Sequence, residues 1–432
     1  MDERSDGGWR WIREEAGERL LALLVGADRT APRTIERARR LADPETVRAA
    51  LSLLDARERA RGKLARAEAL LLDRVGVEQS TSTDVARYKA RRLLAGHTGQ
   101  VLDLCCGIGG DALGLALEGG TPILVDRDIA RATAARWNVR AVGAPLPPAV
   151  IADLAAGAIP PTPGGPSSRA VGPLPFHLDP DRRPDGRRSW SSRDLLPGPP
   201  VIGAWIRSGR AGAVKLGPGA ELEHLPELFE VDGARIPLEI EVIQRGRGLV
   251  QTVLWCGPPA SAPRRATRVD GARVTSLEGP AGAPPLAEIT DGDPRIEAGG
   301  VYLHLVEPAV ERADLLGVLA RIHGLTLPHD HCGLLAGDRP IVGPWLRPLR
   351  LLGVLAGRVQ DVRRWTKERG MRVTAVRARG GEEPALWKRK LGGGGADGTA
   401  VALHLTREGK RIRAWITEEI PPPPDHGGDS AP

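Results

Sequence analysis

A chain of 432 residues with 41% hydrophobic and 27% charged residues holds enough apolar material for two or three packed domains, which excludes an extended disordered polypeptide. No apolar run reaches membrane-spanning length, and the opening Met1-Asp2-Glu3-Arg4-Ser5-Asp6 lacks the basic-then-apolar pattern of a secretion signal, so a cytoplasmic protein without a membrane partner is expected. The 4 cysteines, two of them adjacent at Cys105 and Cys106, exclude a disulfide framework, and a net charge of +7 permits a polyanionic partner without requiring one.

From Trp9 to Leu72, leucines and alanines recur at helical spacing among Arg and Glu, for example Leu20-Leu21-Ala22-Leu23-Leu24 and Ala65 to Leu71. The spacing predicts a small helical domain over 1–76. Gln79-Ser80-Thr81-Ser82-Thr83-Asp84 is a polar start signal for a helix from Val85 to Leu94, which leads into an apolar strand, Val101-Leu102-Asp103-Leu104.

That strand opens the most informative stretch of the chain. Cys105-Cys106-Gly107-Ile108-Gly109-Gly110-Asp111-Ala112 is a glycine-rich turn entering a helix, and Gly107, Gly109 and Gly110 let the backbone turn sharply and approach a ligand closely. A second strand, Pro122-Ile123-Leu124-Val125, ends at Asp126, where a carboxylate accepts hydrogen bonds from two ribose hydroxyls. The Gly107-x-Gly109-x-x-Ala112 spacing also satisfies the dinucleotide fingerprint, so spacing alone does not separate two cofactor classes. Asp103 does. A carboxylate at the loop repels a pyrophosphate but favours the sulfonium and amino group of S-adenosylmethionine.

A helix through Trp137 then leads to Ala149-Val150-Ile151-Ala152-Asp153, and Asp153 is expected as a contact to the adenine amino group. A Pro/Gly/Ser-rich stretch, Ala156 to Pro173, reads as a surface loop before a fourth strand, Leu174 to Leu178. Ala213 to Leu216 is a fifth, and Leu238 to Ile243 with Leu249 to Leu254 is a hairpin around Arg245-Gly246-Arg247-Gly248, completing an expected seven-stranded sheet.

In an open α/β sheet the chemistry belongs at the carboxyl ends of the strands, where Asp179-Pro180-Asp181-Arg182-Arg183 lies. An acid before proline accepts a hydrogen from a target nitrogen, and Arg182 or Arg183 would stack on a base or hold a phosphate, so Asp179, Pro180, Arg182 and Arg183 are the candidate catalytic residues. Methylation at pyrimidine C5 needs a cysteine nucleophile near the fifth strand, and Lys215-Leu216-Gly217-Pro218-Gly219 offers none. Trp190, just past Arg187-Arg188, stands apart from the other tryptophans, which read as packing residues.

Pro258 to Pro263 and Gly279 to Pro285 break the pattern, and 258–335 reads as a connecting segment. Leu346 to Thr366 reads as helical, and Met371 to Val376 and Ala400 to Leu405 as strands of an α+β module over 336–420. From Arg339 to Arg413 this module carries 18 Lys and Arg against 6 Asp and Glu, +12 locally. His329-Asp330-His331-Cys332 is too compact for a metal site, and no metal is expected. The tail, 421–432, is disordered by composition.

Over most of its length the chain resembles bacterial class I S-adenosylmethionine-dependent methyltransferases with a carboxy-terminal THUMP-like domain. Carrying the resemblance are Glu78-Gln79-Ser80-Thr81, Arg87 to Arg92, Asp103 to Ala112, Leu178 to Arg183, Val214 to Gly219 and Glu307 to Ala313. Cys106 to Gly110 is also similar to trimethylguanosine synthase, in which a threonine of the preceding loop helps to enclose the cofactor, and Thr81 matches that position. One departure is the absence of an aromatic residue after Asp179-Pro180. The resemblance implies a Rossmann-like seven-stranded domain over 77–257 and an RNA methyltransferase relative. Together the readings give a methyltransferase using S-adenosylmethionine, held by Thr81, Asp103, Gly107, Gly109, Gly110, Asp126 and Asp153, and acting on a base nitrogen of structured RNA. The alternatives are a methyltransferase for a protein or small molecule, and a cofactor-binding scaffold without catalysis.

Overall fold

The structure, a computed structural model, describes residues 9–96, 99–161, 174–181, 194–222, 225, 237–329, 332–379, 381–392, 398–408 and 411–420. Arg182, Arg183, Trp190, Asp330, His331 and the tail 421–432 lie outside the described residues. The chain divides into two compact units, one of residues 1–263 with 267–276 and one of 264–266 with 277–432.

The first unit begins with three helices, α1 (Glu15–Leu24), α2 (Pro32–Arg39) and α3 (Pro44–Ala60). Asp43 starts α3 by accepting the amides of Glu45 and Thr46, with Pro44 at the first helical position, where its missing N–H is no loss. Two further helices, α4 (Arg74–Gln79) and α5 (Thr83–Leu94), lead to β1 (Gln100–Leu104). Then come α6 (Gly110–Leu117), β2 (Thr121–Asp126), α7 (Ile129–Ala141), β3 (Ala149–Ile151), β4 (Phe176–Leu178), α8 (Pro199–Ile206) and β5 (Gly212–Leu216). The hairpin β6 (Leu238–Arg245) and β7 (Gly248–Cys256) is followed by β8 (Arg264–Asp270) and β9 (Arg273–Gly279).

Among the described residues the sheet runs β3-β2-β1-β4-β5-β7-β6-β8-β9, nine strands rather than the expected seven. β3, β2, β1, β4 and β5 are parallel and β7 runs antiparallel between β5 and β6, which brings the carboxyl ends of the parallel strands to one edge. The two added strands come from the segment read as a connector. Its Pro and Gly punctuate a hairpin that covers the otherwise open edge of β6, and an open edge invites pairing with another chain.

The amino-terminal helices share one core with the sheet layer instead of forming a domain apart. Leu53, Leu64, Leu70, Leu71 and Leu72 pack in one cluster with Ile108 and Leu113 of the glycine loop and α6, and with Ala134 of α7. Asn138 of α7, fully buried, accepts the Leu71 amide at 2.7 Å and donates to the Leu71 and Ile108 carbonyls at 3.0 and 2.9 Å. One side chain thereby ties the segment after α3 to the glycine loop, and every polar atom of its amide is used.

In the second unit, helices α9 (Pro294–Glu297), α10 (Pro308–Arg312), α11 (Leu316–His323), α12 (Val359–Glu368) and α13 (Pro384–Leu391) accompany six strands. These are β10 (Tyr302–Val306), β11 (Leu334–Gly337), β12 (Leu346–Ala356), β13 (Met371–Ala378), β14 (Thr399–Glu408) and β15 (Arg411–Glu419), in the order β11-β10-β12-β15-β14-β13. Leu346 to Thr366 is therefore not one helix: its first half is β12 and only Val359–Glu368 is helical. The leucine-dense run suits either element by composition, and pairing with β10 and β15 on both sides decides for the strand. Residues 258–335, read as a connector, supply strands to both sheets.

Candidate active site

At the end of β1 the chain turns through Cys105 and Gly107, both at positive φ, into α6 at Gly109, whose φ is 81°. A Cβ on Gly109 would lie 3.0 Å from the Ala135 backbone and side chain, so this position needs glycine both for its conformation and for the approach of α7. At Gly107 a Cβ would have only the Arg131 guanidinium within 4.0 Å, so a side chain there would project into open space at the loop. Gly110 backs onto Ser80 and Thr81, where a Cβ would sit 2.9 Å from the Ser80 Cβ.

That open space is part of a cavity of about 830 Å³ at the carboxyl ends of the parallel strands. Thr81, Asp103, Gly107, Gly110, Asp126, Asp153, Asp179 and Pro180 all line it, whereas Gly109 stands behind it against α7. The sequence thus named most of one wall.

Asp126 accepts the Gly107 amide on one carboxylate oxygen and the Asp128 amide on the other, each at 2.9 Å. Each oxygen has a second lone pair left for a ligand hydroxyl. Burial pushes the Asp126 carboxyl above its usual range, against the pull of the two amides. Asp128 starts α7 by accepting the Ala130 and Arg131 amides, which fixes the turn after β2. Asp153 is exposed at the rim and accepts the Ala155 amide at 2.8 Å.

Asp103 is 1% exposed, and its Oδ1 meets His177 Nδ1 at 2.9 Å while Oδ2 has no partner among the described residues. Desolvation raises its pKa, opposed by the His177 contact. The far ring nitrogen, His177 Nε2, lies 3.1 Å from Lys89 Nζ and 3.6 Å from Asp111. Lys89 is itself fully buried and forms a 2.7 Å ion pair with Asp111, which also accepts the Thr81 hydroxyl at 2.8 Å. His177, Lys89 and Lys215 together hold the Asp111 carboxyl well below the carboxylate range despite its burial. Thr81 therefore reaches the site through this network: its hydroxyl is spent on Asp111.

Lys89, Asp111, His177 and Lys215 were not anticipated as site residues. Lys89 carried a readable signal, since it falls on the Val85–Lys89–Leu93 stripe that α5 buries. A lysine on a buried stripe requires an internal carboxylate. Lys215 of β5 reaches Asp179 at 2.6 Å and also donates to the Gln79 carbonyl at 3.1 Å. Asp179 Oδ1 keeps no partner among the described residues. Arg182 and Arg183, the other half of the candidate catalytic loop, lie outside the described residues.

His329 of the second unit stacks on Trp415 at 5.6 Å and meets the Thr406 hydroxyl at 2.6 Å, and among the described residues no cluster of three His, Cys, Asp or Glu has metal-holding geometry. Among the same residues, no helix is long and apolar enough to cross a membrane.

No family profile and no curated protein matches the sequence. Among solved structures, a provisionally named methyltransferase from Porphyromonas gingivalis W83 matches over 97% of this chain and 99% of its own, with a TM-score of 0.65 and 16% identity. The fold is a methyltransferase fold. The T. thermophilus 16S rRNA N2 G1207 methyltransferase, in complex with AdoMet and guanosine, matches over 43% of each chain at 16% identity and a TM-score of 0.26. A provisionally named class I S-adenosylmethionine-dependent methyltransferase from Listeria monocytogenes covers 60% of this chain and 84% of its own at 11% identity and a TM-score of 0.29. At TM-scores this low neither of the last two informs the site.

Proposed function

We propose that this protein is an S-adenosylmethionine-dependent methyltransferase acting on a base nitrogen of structured RNA. The observation that carries the cofactor is the Asp126 carboxylate, clamped by the Gly107 and Asp128 amides at the cavity wall with a lone pair on each oxygen for a ribose diol. The cavity also fits the rest of that molecule. Asp103 Oδ2 is a buried acceptor without a donor among the described residues, suited to the ammonium of the methionine part, and the bare Gly107 leaves room beside it. Asp153 at the rim would take the adenine amino group.

When bound, S-adenosylmethionine supplies a methyl group on an already activated sulfonium. What remains for the chain is alignment and a place for one proton. Asp179 Oδ1 would accept an N–H of the target nitrogen and aim its lone pair, while Lys215 fixes the other oxygen at 2.6 Å. Its work is orientation, with solvent taking the proton once the nitrogen has become cationic. The segment Arg339 to Arg413, at +12, supports a polyanionic substrate gripped through phosphates.

Transfer of labelled methyl groups from S-adenosylmethionine to total RNA, protein and metabolite pools tests this reading. Label in RNA is expected. Label in protein or metabolites alone would make it a methyltransferase of another substrate class, and no label in any pool would leave a cofactor-binding scaffold.

A further inference from the structure

The cavity carries charge of both signs along the order of the sheet. Asp126 ends β2, Asp179 follows β4, Lys215 lies on β5, and Gln251 belongs to β7 one register step past the Leu216–Thr252 pair. The β1–β2 side carries four carboxylates, Asp103, Asp126, Asp128 and Asp153, against Arg127 and Arg131. Elsewhere Lys63, Lys215 and Arg245 line the same cavity, with Glu78 and Asp181 as the carboxylates besides Asp179 and Asp111.

Two of these three cations have carboxylate partners in the fold, Lys215 with Asp179 and Arg245 with Asp84, each at 2.6 Å. Lys63 has none. Its ammonium is held by the Val77 and Glu78 carbonyls at 2.6 and 3.2 Å, and Arg245 donates to the carbonyl of Gly62, the residue just before it. Lys63 is thus pre-positioned by neutral acceptors beside two other cations, an arrangement that is repulsive until an anion arrives. Burial with Lys215 and Arg245 nearby brings its pKa down from 10.5 to about 8.

Gln251 is the second, independent observation. It is 3% exposed, lines the cavity, and its amide nitrogen has no acceptor among the described residues. A buried N–H donor left unpaired carries a penalty unless a ligand meets it. Lys63, with two of its three N–H groups used, and Gln251 therefore both offer the cavity donors that are unmatched among the described residues. A phosphate is the complement: anionic, and accepting on every oxygen.

We infer that Lys63, Arg245 and Gln251 form a subsite for a backbone phosphate of the nucleic-acid substrate, beside the Asp179–Lys215 pair. This rests on the reading of the protein as an RNA methyltransferase. The subsite fixes the backbone next to the nucleotide presented to the cofactor, so it sets register rather than base identity.

The test is steady-state methyl transfer by the full-length protein to total RNA from an unrelated bacterium, over a range of salt, with S-adenosylmethionine affinity measured by calorimetry for each variant. Lys63→Met is expected to raise the RNA KM about tenfold and to flatten the slope of log(1/KM) against log[salt] by about 0.7 to 0.9, the signature of one lost phosphate contact. Lys63→Arg should restore both. Gln251→Leu is expected to raise KM by about fivefold to tenfold with no change in slope, because its donor is neutral. Cofactor affinity should stay at the wild-type value throughout, which shows that the variants are folded. Transfer to RNA with an unchanged KM in Lys63→Met, or a raised KM with an unchanged salt slope, overturns the subsite and leaves the methyltransferase reading intact. Absence of transfer to RNA by the wild-type protein overturns both.

Discussion

Replacing Lys89 by methionine removes one charge from the buried network and little volume. At an effective dielectric near 20, unit charges 2.7 Å apart attract by about 6 kcal/mol, and desolvation of each ion takes back several kcal/mol, so the intact pair is close to balanced. The single variant is not balanced, because Asp111 keeps only the Thr81 hydroxyl at 2.8 Å, His177 at 3.6 Å and the field of Lys215. Breaking a buried pair from one side costs about 3 to 5 kcal/mol. For a unit of this size, where each kcal/mol moves Tm by about 2 to 4 °C, the expected loss is roughly 6 to 20 °C. Adding Asp111→Leu should recover most of it, since an apolar pair replaces an ion pair at little net cost. Differential scanning calorimetry of the two single variants and the double closes the cycle. A Tm for Lys89→Met within 2 °C of wild type, or a double variant worse than the sum of the singles, would show that the network does not carry the pairing described.

Three further outcomes follow from the site. Asp126→Ala should weaken S-adenosylmethionine binding by about tenfold or more, because two hydrogen bonds to a carboxylate are lost, and wild-type affinity by calorimetry would remove Asp126 from the cofactor contacts. Asp179→Ala should lower kcat about a hundredfold with cofactor affinity preserved, and full turnover would place the acceptor elsewhere. The RNA KM should rise as pH passes about 8, where Lys63 loses its proton because burial, then Lys215 and Arg245, lower its pKa against the pull of Glu78. The ammonium is present below that pH and lost above it, so the rise should be missing from Lys63→Met. An identical pH profile in both proteins would detach Lys63 from substrate binding.

The sequence made the β1–loop–α6 turn legible because backbone requirements leave a residue signature: Gly107, Gly109 and Gly110 mark positive φ or close approach, and Asp126 marks a strand end. Networks leave none. Asp103 was read as a cofactor contact, yet half of its carboxylate serves His177, a residue met in the sequence only as part of the expected strand Leu174 to Leu178. The partners Lys89, Asp111 and His177 lie in three elements, and only the packing of α5 and α6 over β1 and β4 joins them. The extra hairpin was missed for a different reason. Arg264–Asp270 and Arg273–Gly279 each hold only two apolar residues besides glycine, spaced three apart at Ala266 and Val269 and at Val274 and Leu277, so neither shows the alternation that marks a strand, and composition alone reads them as linker.

Asn138 sets a limit on how this protein can be divided. A fragment beginning at the first strand would keep every residue of the cofactor cradle except those of the α4–α5 segment, and on paper would be a minimal enzyme. It would also expose Ile108, Leu113 and Ala134, now covered by the leucines around Leu70, and leave the Asn138 amide with two of its three backbone partners gone. Proteolysis that nicks the chain between α3 and α4 should therefore abolish cofactor binding even though no cofactor contact is cut. The helices that open the chain are the outer half of the glycine loop's own support.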